Sequence, residues 1–401
     1  MREIRIEEDR GEGPGERDVE VVERKGLGHP DTLCDSALEA ISVALCREYL
    51  ARAGRILHHN IDKGLLVAGA SEPRPGGGRV TQAMRLVVGD RATDRIGGER
   101  IPVAEIAAAA ARDWMRKHLR FVDPERHLVV QSELRPGSAE LVGLYRDDHP
   151  RANDTSAGMG FAPFTETERL VLRCEELLQA SSTRELFPEV GEDVKVMGTR
   201  RGRLLHLTVA AAFVDRFVPD AASYFRRKAE LEVFLREALS RELESLDAIE
   251  LAINTLDDPE RGLEGMYLTV LGTSAEAGDG GEVGRGNRPC GLITPGRPMS
   301  LEAAAGKNPV AHVGKVYQLL ALELARRIHE GVPGVLGATV SLVSRIGWPL
   351  DQPWLASARL KLARGVGLSE VAAPARELLE GGLDGVDAFV QRLVRGELPV
   401  C

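Results

Sequence analysis

Aromatic residues are scarce in this chain, at 4% of 401 residues, so its core must be built largely from Ala, Val, Leu and Gly. Such a core suits an α/β or α+β protein. Long apolar runs are also missing, since no stretch approaches the roughly 18 consecutive apolar residues that a membrane-spanning helix needs. The sequence therefore predicts a folded protein with no membrane partner.

Cysteine is rare as well. The five cysteines form no CxxC pair and are odd in number, a pattern typical of free thiols in a reducing compartment. The first ten residues, MREIRIEEDR, are charged and do not resemble a secretory signal. We therefore expect a cytoplasmic protein.

A basic excess is absent too, because the formal net charge is −9. That balance argues against a nucleic-acid partner or an anionic membrane surface, which both need many cations to neutralise phosphates. It leaves room for one small anionic ligand, because a local basic pocket can outweigh a distant net charge.

Helical and strand patterns alternate along the chain. Apolar residues recur at spacings of three and four after Asp31, with Thr32 and Asp35 in the arrangement of a capping box. Further helices are predicted over 102–120 and 168–181, the second preceded by a Thr165–Glu168 capping box. A hairpin is predicted with its turn at Arg201–Gly202.

The run GLGHPD places His29 and Asp31 at the start of the first of these helices. Backbone N–H groups at a helix N-terminus point outward and favour anions. The pattern therefore indicates an anion site, although an alternative is that Asp31 serves only as the helix N-cap.

A glycine-rich segment, 272–300, lacks ordinary periodicity, and long loops in compact proteins are often functional. The sequence in and beside this segment nevertheless does not match the standard nucleotide-binding motifs. Leu301 stands where a Walker A loop needs glycine, and Pro289 stands where a dinucleotide fingerprint needs glycine.

Short clusters of the types that bind polyphosphate remain. Lys195, Arg285 and Lys307 suit phosphate oxygens, and Asp31, Asp62 and Asp279 suit Mg²⁺, which takes oxygen ligands. No single cluster is specific, because a lone lysine or arginine is usually a solvated surface charge.

Taken together, these clusters resemble one family. The segments GLGHPDTLCDS, HHNID, ANDTSAGMGFAPF, VGEDVKVMG and GTSAEAGDGGEVGRGNRPCGLITPGRPMSLEAAAGKNPVAHVGKVY are similar to methionine adenosyltransferases (S-adenosylmethionine synthetases) of the archaeal type. The resemblance runs from Val19 to Ile346, and its motifs are long.

This resemblance implies a chemistry. The sulfur of L-methionine attacks C5′ of ATP and displaces the triphosphate, which the same site then hydrolyses to pyrophosphate and phosphate. A leaving group with several negative charges needs preorganised positive charge, supplied in part by Mg²⁺. K⁺ is a second candidate cation.

The resemblance also assigns roles. His29 assists departure of the triphosphate, Asp31 holds Mg²⁺, and Asp62 is a further candidate cation ligand. The other candidates bind phosphates (Lys195, Arg285, Lys307), the nucleoside or substrate (Asp279), the amino group of the amino acid (Asp154) and the ATP site (Glu23). His312 and Lys315 are possible members of the phosphate site, with a purely structural role as the alternative for His312.

The fold that the resemblance implies is α+β, with three similar α/β units and mixed sheets around a pseudo-threefold axis. We expect one compact chain of three interleaved units, approximately 1–150, 151–270 and 271–401. Two chains are expected to pair through flat sheet faces, as a homodimer or a dimer of dimers, with active sites at the subunit interface.

Several positions depart from the family pattern. Lys63 stands in place of Gln, Ala70 in place of His, and Arg135-Pro136 in place of Gly-Gln. Neutral drift is one interpretation. Another is adenosyl transfer to a more polar, methionine-like acceptor, whose acidic group would meet Lys63 or Arg135.

Two further functions stay open. A catalytically silent subunit could regulate an active partner, although the retained phosphate-binding residues argue against it. An enzyme that only cleaves triphosphate is the other alternative.

Overall fold

The computed structural model describes residues 2–145 and 151–401. Helices and strands alternate along both segments. The helices are α1 (Pro30–Ala53), α2 (Val103–His118), α3 (Pro124–His127), α4 (Ala139–Gly143), α5 (Glu166–Gln179), α6 (Ser181–Leu186), α7 (Ala221–Ser240), α8 (Val313–Gly331), α9 (Leu368–Asp384) and α10 (Val386–Val394).

The strands are short in the connecting hairpins and long in the main sheets. They are β1 (Ile4–Glu8), β2 (Val19–Lys25), β3 (His59–Val67), β4 (Ala70–Glu72), β5 (Arg79–Gln82), β6 (Met84–Ala92), β7 (Arg95–Ile96), β8 (Glu99–Arg100), β9 (Leu128–Ser132), β10 (Ala157–Ala162), β11 (Val190–Arg201), β12 (Leu204–Val214), β13 (Ala248–Ile253), β14 (Leu268–Thr269), β15 (Gly281–Glu282), β16 (Val335–Val343) and β17 (Leu355–Leu362).

Three main sheets organise the described chain. The first has the order β1-β17-β16-β10, the second β13-β12-β11-β2 with β14 beside β12, and the third β15-β3-β6-β9. Each sheet mixes parallel and antiparallel pairs. The expected α+β class with several mixed sheets is confirmed.

Two long helices cover one face of each sheet. Helices α8 and α9 pack on the first sheet, α5 and α7 on the second, and α1 and α2 on the third. Each layer encloses its own buried apolar cluster, built mostly from aliphatic residues, with few rings. This repetition accounts for three cores of similar design in one chain.

The first 25 residues link these layers. Strand β1 joins the first sheet beside β17, whereas β2 joins the second sheet beside β11. The N-terminal segment therefore contributes strands to two different sheets. The proposed boundaries of the three units at 150 and 270 stay a prediction.

Helix α1 begins one residue earlier than its pattern predicts. His29 is the N-cap, so the alternative that Asp31 is the cap is wrong. The predicted Thr32–Asp35 capping box is also wrong, because Thr32 donates to the carbonyl of Lys25 and Asp35 accepts from Gly284 N–H. Both side chains instead attach neighbouring segments to the helix start.

Other sequence predictions are confirmed. Thr165 and Glu168 form the expected capping box at α5, and β11 and β12 form the expected hairpin around Gly202, whose φ is +54°. The segment 272–300 is irregular apart from one helical turn, Ser274–Glu276, and the short strand β15. Among the helices of the described residues, none has the length and apolar character needed to cross a bilayer.

Candidate active site

The first group of candidate residues gathers where β2 leads into α1, and we call it the helix-start cluster. Its members are Glu23, Lys25, His29, Asp31 and Lys195. Glu23 and Lys25 lie on the same face of β2 because side chains alternate along a strand. Lys195 on β11 lies opposite Lys25 in register, and its Nζ is 3.2 Å from Glu23 Oε1.

Asp31 is held from two sides. Its Oδ2 accepts a hydrogen bond from Lys25 Nζ at 2.8 Å, and its Oδ1 accepts from the backbone N–H of Glu282 at 3.0 Å. Burial opposes ionisation of Asp31, but these donors outweigh it and lower the pKa of the carboxyl. Asp31 is therefore a fixed, ionised carboxylate.

The same contacts attach the glycine-rich segment to the helix start. Lys25 Nζ also donates to the carbonyl of Arg285 at 2.8 Å. At residue 281 a Cβ would lie 2.0 Å from the carbonyl oxygen of Pro30, so only glycine permits this approach. The segment passes close enough to α1 to carry Glu282 and Arg285 into the site.

His29 is a neutral imidazole in this setting. Burial is the main reason that the pKa of His29 is lowered to about 4; the charge of Asp31 opposes this shift, and those of Lys25 and Lys195 add to it. Its Nδ1 accepts from the backbone N–H of Asp31 at 3.2 Å. Because Nδ1 is an acceptor, the proton of the neutral ring is assigned to Nε2, which is a hydrogen-bond donor at the helix N-terminus.

The second group lies where the third sheet meets the segment before α8, and we call it the sheet cluster. Its members are Asn60, Asp62, Lys63, Asp90, Glu302 and Lys307. The buried Lys307 ammonium binds Asp62 Oδ2 and lies 3.0 Å from Glu302 Oε2. Three carboxylates and two lysines therefore share one small region.

Asp62 uses both of its oxygens. Its Oδ1 accepts from Lys63 Nζ at 2.6 Å and from Asn60 Nδ2 at 2.8 Å. Although burial opposes ionisation, Lys307 and Lys63 hold the pKa of Asp62 well below its usual range. Burial and the neighbouring Asp62 raise the pKa of Asp90, whose Oδ2 accepts from the same Asn60 amide.

One pocket of about 530 Å³ lies between the sheet cluster and the glycine-rich segment. Asp62, Lys63 and Lys307 line one side of it, and Glu282 and Arg285 line the other. Because Glu282 and Arg285 are the residues whose backbone binds Asp31 and Lys25, the pocket lies against the helix-start cluster. Three cations (Lys63, Arg285, Lys307) and three carboxylates (Asp62, Glu282, Glu302) line the pocket.

Asp279 lies at an exposed bend of the glycine-rich segment. Its backbone N–H donates to the carbonyl of Ser274, and Ser274 donates through N–H and Oγ to the buried Asp193 at 2.7 and 2.6 Å. Burial raises the pKa of Asp193 to about 6. Asp193 thus anchors the turn that carries Asp279.

Three other candidates do not line the pocket, although His312 lies close enough to Lys307 and Asp62 for their charges to affect its pKa. Asp154 accepts from the N–H of Thr155, and among the described residues no hydrogen bond or ion pair joins its carboxylate to either cluster. His312 is the N-cap of α8, where Nδ1 accepts from Gly314 N–H, which is the structural alternative for this residue. Lys315 is fully buried and pairs with Glu39 at 2.6 Å.

The sequence interpretation missed three residues that hold the site together: Lys25, Glu302 and Asp193. Lys25 was within reach of sequence reasoning, because the two-residue period of β2 places it beside Glu23. Asp193 carries no local signal, since its partner Ser274 lies 81 positions away. Glu302 is close to Lys307 in the sequence, but both lie in an irregular segment where no helical or strand period predicts that they pair.

The carboxylate oxygens of the two clusters suit a Mg²⁺ ion that is held jointly by the protein and the substrate phosphates. Among the described residues, no group of three or more His, Cys, Asp or Glu side chains forms a closed metal cage. Asp31 and Asp62 each offer carboxylate oxygens that already attract lysine ammonium groups. Mg²⁺ is commonly held by one or two carboxylates together with substrate phosphates, so these two residues suit a metal that arrives with its nucleotide.

The altered positions divide into two sets. Lys63 lines the pocket, whereas the guanidinium of Arg135 turns to Glu133 at 3.0 Å. Ala70 pairs with Gln82 in the β4–β5 hairpin, and the carbonyl of Pro136 accepts from Arg91 at 3.4 Å. Of these four, Lys63 is the one that faces the candidate site.

Comparison with known proteins shows which family the chain is similar to. A model of the S-adenosylmethionine synthetase (AdoMet synthetase) family matches residues 2–397. The S-adenosylmethionine synthase of Aeropyrum pernix is 48% identical over 392 residues, covering 95% of each chain, and that of Hyperthermus butylicus is 46% identical over 395 residues, covering 96% of each.

A solved structure shares the fold at lower identity. It is an unusual S-adenosylmethionine synthetase from Campylobacter jejuni, with a TM-score of 0.57 and 14% identity over 92% of this chain and 88% of that one. Its likeness concerns the arrangement of helices and strands.

Proposed function

The chain belongs to the S-adenosylmethionine synthetase family, and we propose that it forms S-adenosylmethionine from ATP and L-methionine. The observation that supports this proposal is the pocket lined by Lys63, Arg285 and Lys307, whose glycine-rich side is bound to Lys25 of the helix-start cluster. These three cations suit the triphosphate of a nucleotide, and the three carboxylates beside them, Asp62, Glu282 and Glu302, suit the metal that accompanies it.

In the proposed reaction, the methionine sulfur forms a bond to C5′ of ATP while the bond from C5′ to the triphosphate oxygen breaks. The electron pair of the broken bond leaves with the triphosphate. Lys195, Arg285 and Lys307 stabilise this growing negative charge, because cations placed in advance need no reorganisation during the reaction.

His29 is proposed to act as a hydrogen-bond donor. Its ring is neutral and its Nδ1 is engaged by Asp31 N–H, which leaves Nε2–H to donate to the departing oxygen. The donor sits at the N-terminus of α1, where the helix dipole also favours negative charge. Glu23, Asp154 and Asp279 are proposed to position the nucleoside and the amino acid.

Mg²⁺ is the proposed metal, with Asp31 as a ligand and Asp62 as a further candidate. When bound, it would neutralise part of the triphosphate charge. The protein fixes this metal ligand in place, because the backbone N–H of Glu282 holds the Asp31 carboxylate in one position. K⁺ is proposed as an additional cation, tested by exchange of K⁺ for Na⁺.

Hydrolysis of the triphosphate to pyrophosphate and phosphate is the proposed second step. The site residues that bind the triphosphate as a leaving group would still surround it after the first step. Because the triphosphate stays in the same pocket, Lys307 and Arg285 bind it in both steps of the proposed reaction.

A homodimer is the proposed assembly. The strands around the pocket carry exposed apolar side chains on the face of the third sheet that no helix of the described residues covers: Leu65, Val67 and Val129. Leu65 also lines the pocket itself. A second copy seated on this face would bury these residues and close the pocket, which places the active site at the interface.

A second candidate function differs only in the acceptor. Lys63 is 65% exposed at its side chain and lines the pocket, so it is available to an acidic group of an acceptor more polar than methionine. A silent regulatory subunit is a weaker fit, because His29, Asp31, Lys195, Arg285 and Lys307 are all present.

Product analysis tests these proposals. Purified protein is incubated with ATP, Mg²⁺, K⁺ and L-methionine, and the products are identified by mass spectrometry alongside phosphate release. We expect S-adenosylmethionine, pyrophosphate and phosphate in equal amounts. Phosphate without S-adenosylmethionine would favour another acceptor or a triphosphatase, and the absence of both products would contradict catalysis.

A further inference from the structure

Lys307 is already engaged within the protein. Its ammonium group is 98% buried and is bound by Asp62 and Glu302. To bind a phosphate, Lys307 must weaken at least one of these ion pairs. Glu302 is 40% exposed and can be solvated when released, whereas Asp62 is 5% exposed at its side chain and cannot.

The departure of Lys307 from Asp62 is therefore the costly part of phosphate binding. A buried carboxylate that loses its partner carries an uncompensated charge, which is strongly unfavourable. Asn60 donates one neutral hydrogen bond to Asp62 but brings no charge. The neighbouring Asp90 adds negative charge and makes the loss worse.

Lys63 supplies the positive charge that Asp62 needs once Lys307 has left it. Its Nζ lies 2.6 Å from Asp62 Oδ1, the oxygen that Lys307 does not use, and 3.7 Å from Asp90 Oδ2. Because the two lysines occupy different oxygens of one carboxylate, Lys63 stays in place when Lys307 moves. Its exposed stem also allows the small adjustment that a stronger pairing needs.

We propose that Lys63 is a positioning residue that keeps Asp62 paired while Lys307 turns to the phosphates of the substrate. Lys63 thus lowers the free energy of transferring Lys307 from the carboxylate to the ligand. This inference rests on the proposed role of Lys307 in phosphate binding.

Calorimetric titration at fixed Mg²⁺ tests the proposal, with tripolyphosphate used in its imido form, whose bridging nitrogens resist the hydrolysis proposed for this site. Lys63→Gln removes the charge, and we expect the dissociation constant to rise about tenfold, a typical size for coupling between neighbouring charges. Lys63→Arg keeps a cation beside Asp62 and should stay within about twofold of the unaltered protein.

A double-mutant cycle separates this role from direct contact. In Asp62→Asn the buried carboxylate that holds Lys307 is gone and only the half-exposed Glu302 remains, so adding Lys63→Gln should change the dissociation constant by less than about twofold. A Lys63 that touches the phosphates itself would cost about tenfold in both backgrounds, and that result would overturn the inference.

Two further results would also contradict it. An unchanged affinity in Lys63→Gln would show that Asp62 needs no second cation. Tighter Mg²⁺ binding in the same variant, with no loss of tripolyphosphate affinity, would show that Lys63 merely competes with a metal for Asp62.

Controls distinguish the inference from the proposed function. Lys117→Gln removes an exposed charge at the end of α2, outside the pocket, and should leave the affinity unchanged. Failure of the unaltered protein to bind tripolyphosphate would overturn the phosphate site itself. Thermal melting of each variant confirms that it is folded before titration.

Discussion

The helix-start cluster and the sheet cluster both pair aspartates with lysines, yet they hold them differently. Asp31 is held by a backbone N–H and one lysine at the rigid start of α1. Asp62 is shared between two lysines from β3 and from the segment before α8. The first arrangement fixes a charge in place, whereas the second allows cations to redistribute.

We infer from this difference that the two clusters have different roles in the proposed reaction. A fixed carboxylate beside a helix N-terminus suits a metal and a reacting bond, both of which need constant geometry. A shared carboxylate suits the binding of a polyanion, because it can release one lysine without losing all compensation. The predictions that follow are ordered by the size of the expected effect.

Lys307→Met should have the largest effect on catalysis. Loss of a preorganised cation from the pocket is expected to lower kcat/KM for ATP by about 10³-fold, in the upper range for one transition-state donor. Steady-state assays of S-adenosylmethionine formation measure this effect. Lys117→Met serves as the matched control, and an activity loss of equal size there would contradict a specific role for Lys307.

Asp31→Asn should lower kcat/KM by about 10²-fold and raise the Mg²⁺ concentration needed for half-maximal activity. The amide oxygen can still accept from Glu282 N–H, so the glycine-rich segment should keep its position. Activity is measured across a Mg²⁺ titration for Asp31→Asn and Asp62→Asn. A larger Mg²⁺ requirement in Asp62→Asn would reverse the assignment of the two clusters.

Leu65→Asp should weaken the proposed dimer by about tenfold or more, because it places a charge on an apolar sheet face that association would bury. Sedimentation velocity over a concentration series gives the dissociation constant. Leu256→Asp alters an exposed leucine outside this sheet and should leave association unchanged. Equal weakening in both variants would count against the third sheet as the interface.

Acid should destabilise the protein through His59, which lies beneath the sheet cluster. Ser42 joins His59 Nε2 at 2.9 Å to the carbonyl of Lys307 at 3.2 Å. Burial lowers the pKa of His59 from 6.5 to about 3. The unfolded chain therefore takes up the proton first, so this stability is complete above pH 6.5 and is lost as pH falls from 6.5 towards 3.

The expected loss attributable to His59 is about 1 kcal/mol at pH 5.5 relative to pH 7. Urea unfolding of the unaltered protein and of His59→Asn at both pH values isolates it, because other buried histidines contribute equally to both proteins. The difference in unfolding free energy between the two proteins should shrink at pH 5.5. A pH-independent difference would contradict a neutral buried His59.

Local patterns predicted much of the fold but not its layers. The apolar spacing after Asp31 predicted α1, and the Thr165–Glu168 pair predicted the start of α5, because both signals lie within one turn of helix. The Thr32–Asp35 box failed because their preferred partners, Lys25 and Gly284, belong to other segments. Tertiary hydrogen bonds outweighed a plausible local cap.

The sequence by itself determined which chemical groups are present: a histidine and an aspartate at a helix start, a glycine-rich segment, and lysines in recognisable motifs. Only the tertiary structure decided which charges meet. Lys25 and Arg285 lie 260 positions apart, and Asp62 and Lys307 lie 245 apart, yet both pairs are in contact. Such pairings depend on how three separate cores pack together, and no short-range periodicity encodes them.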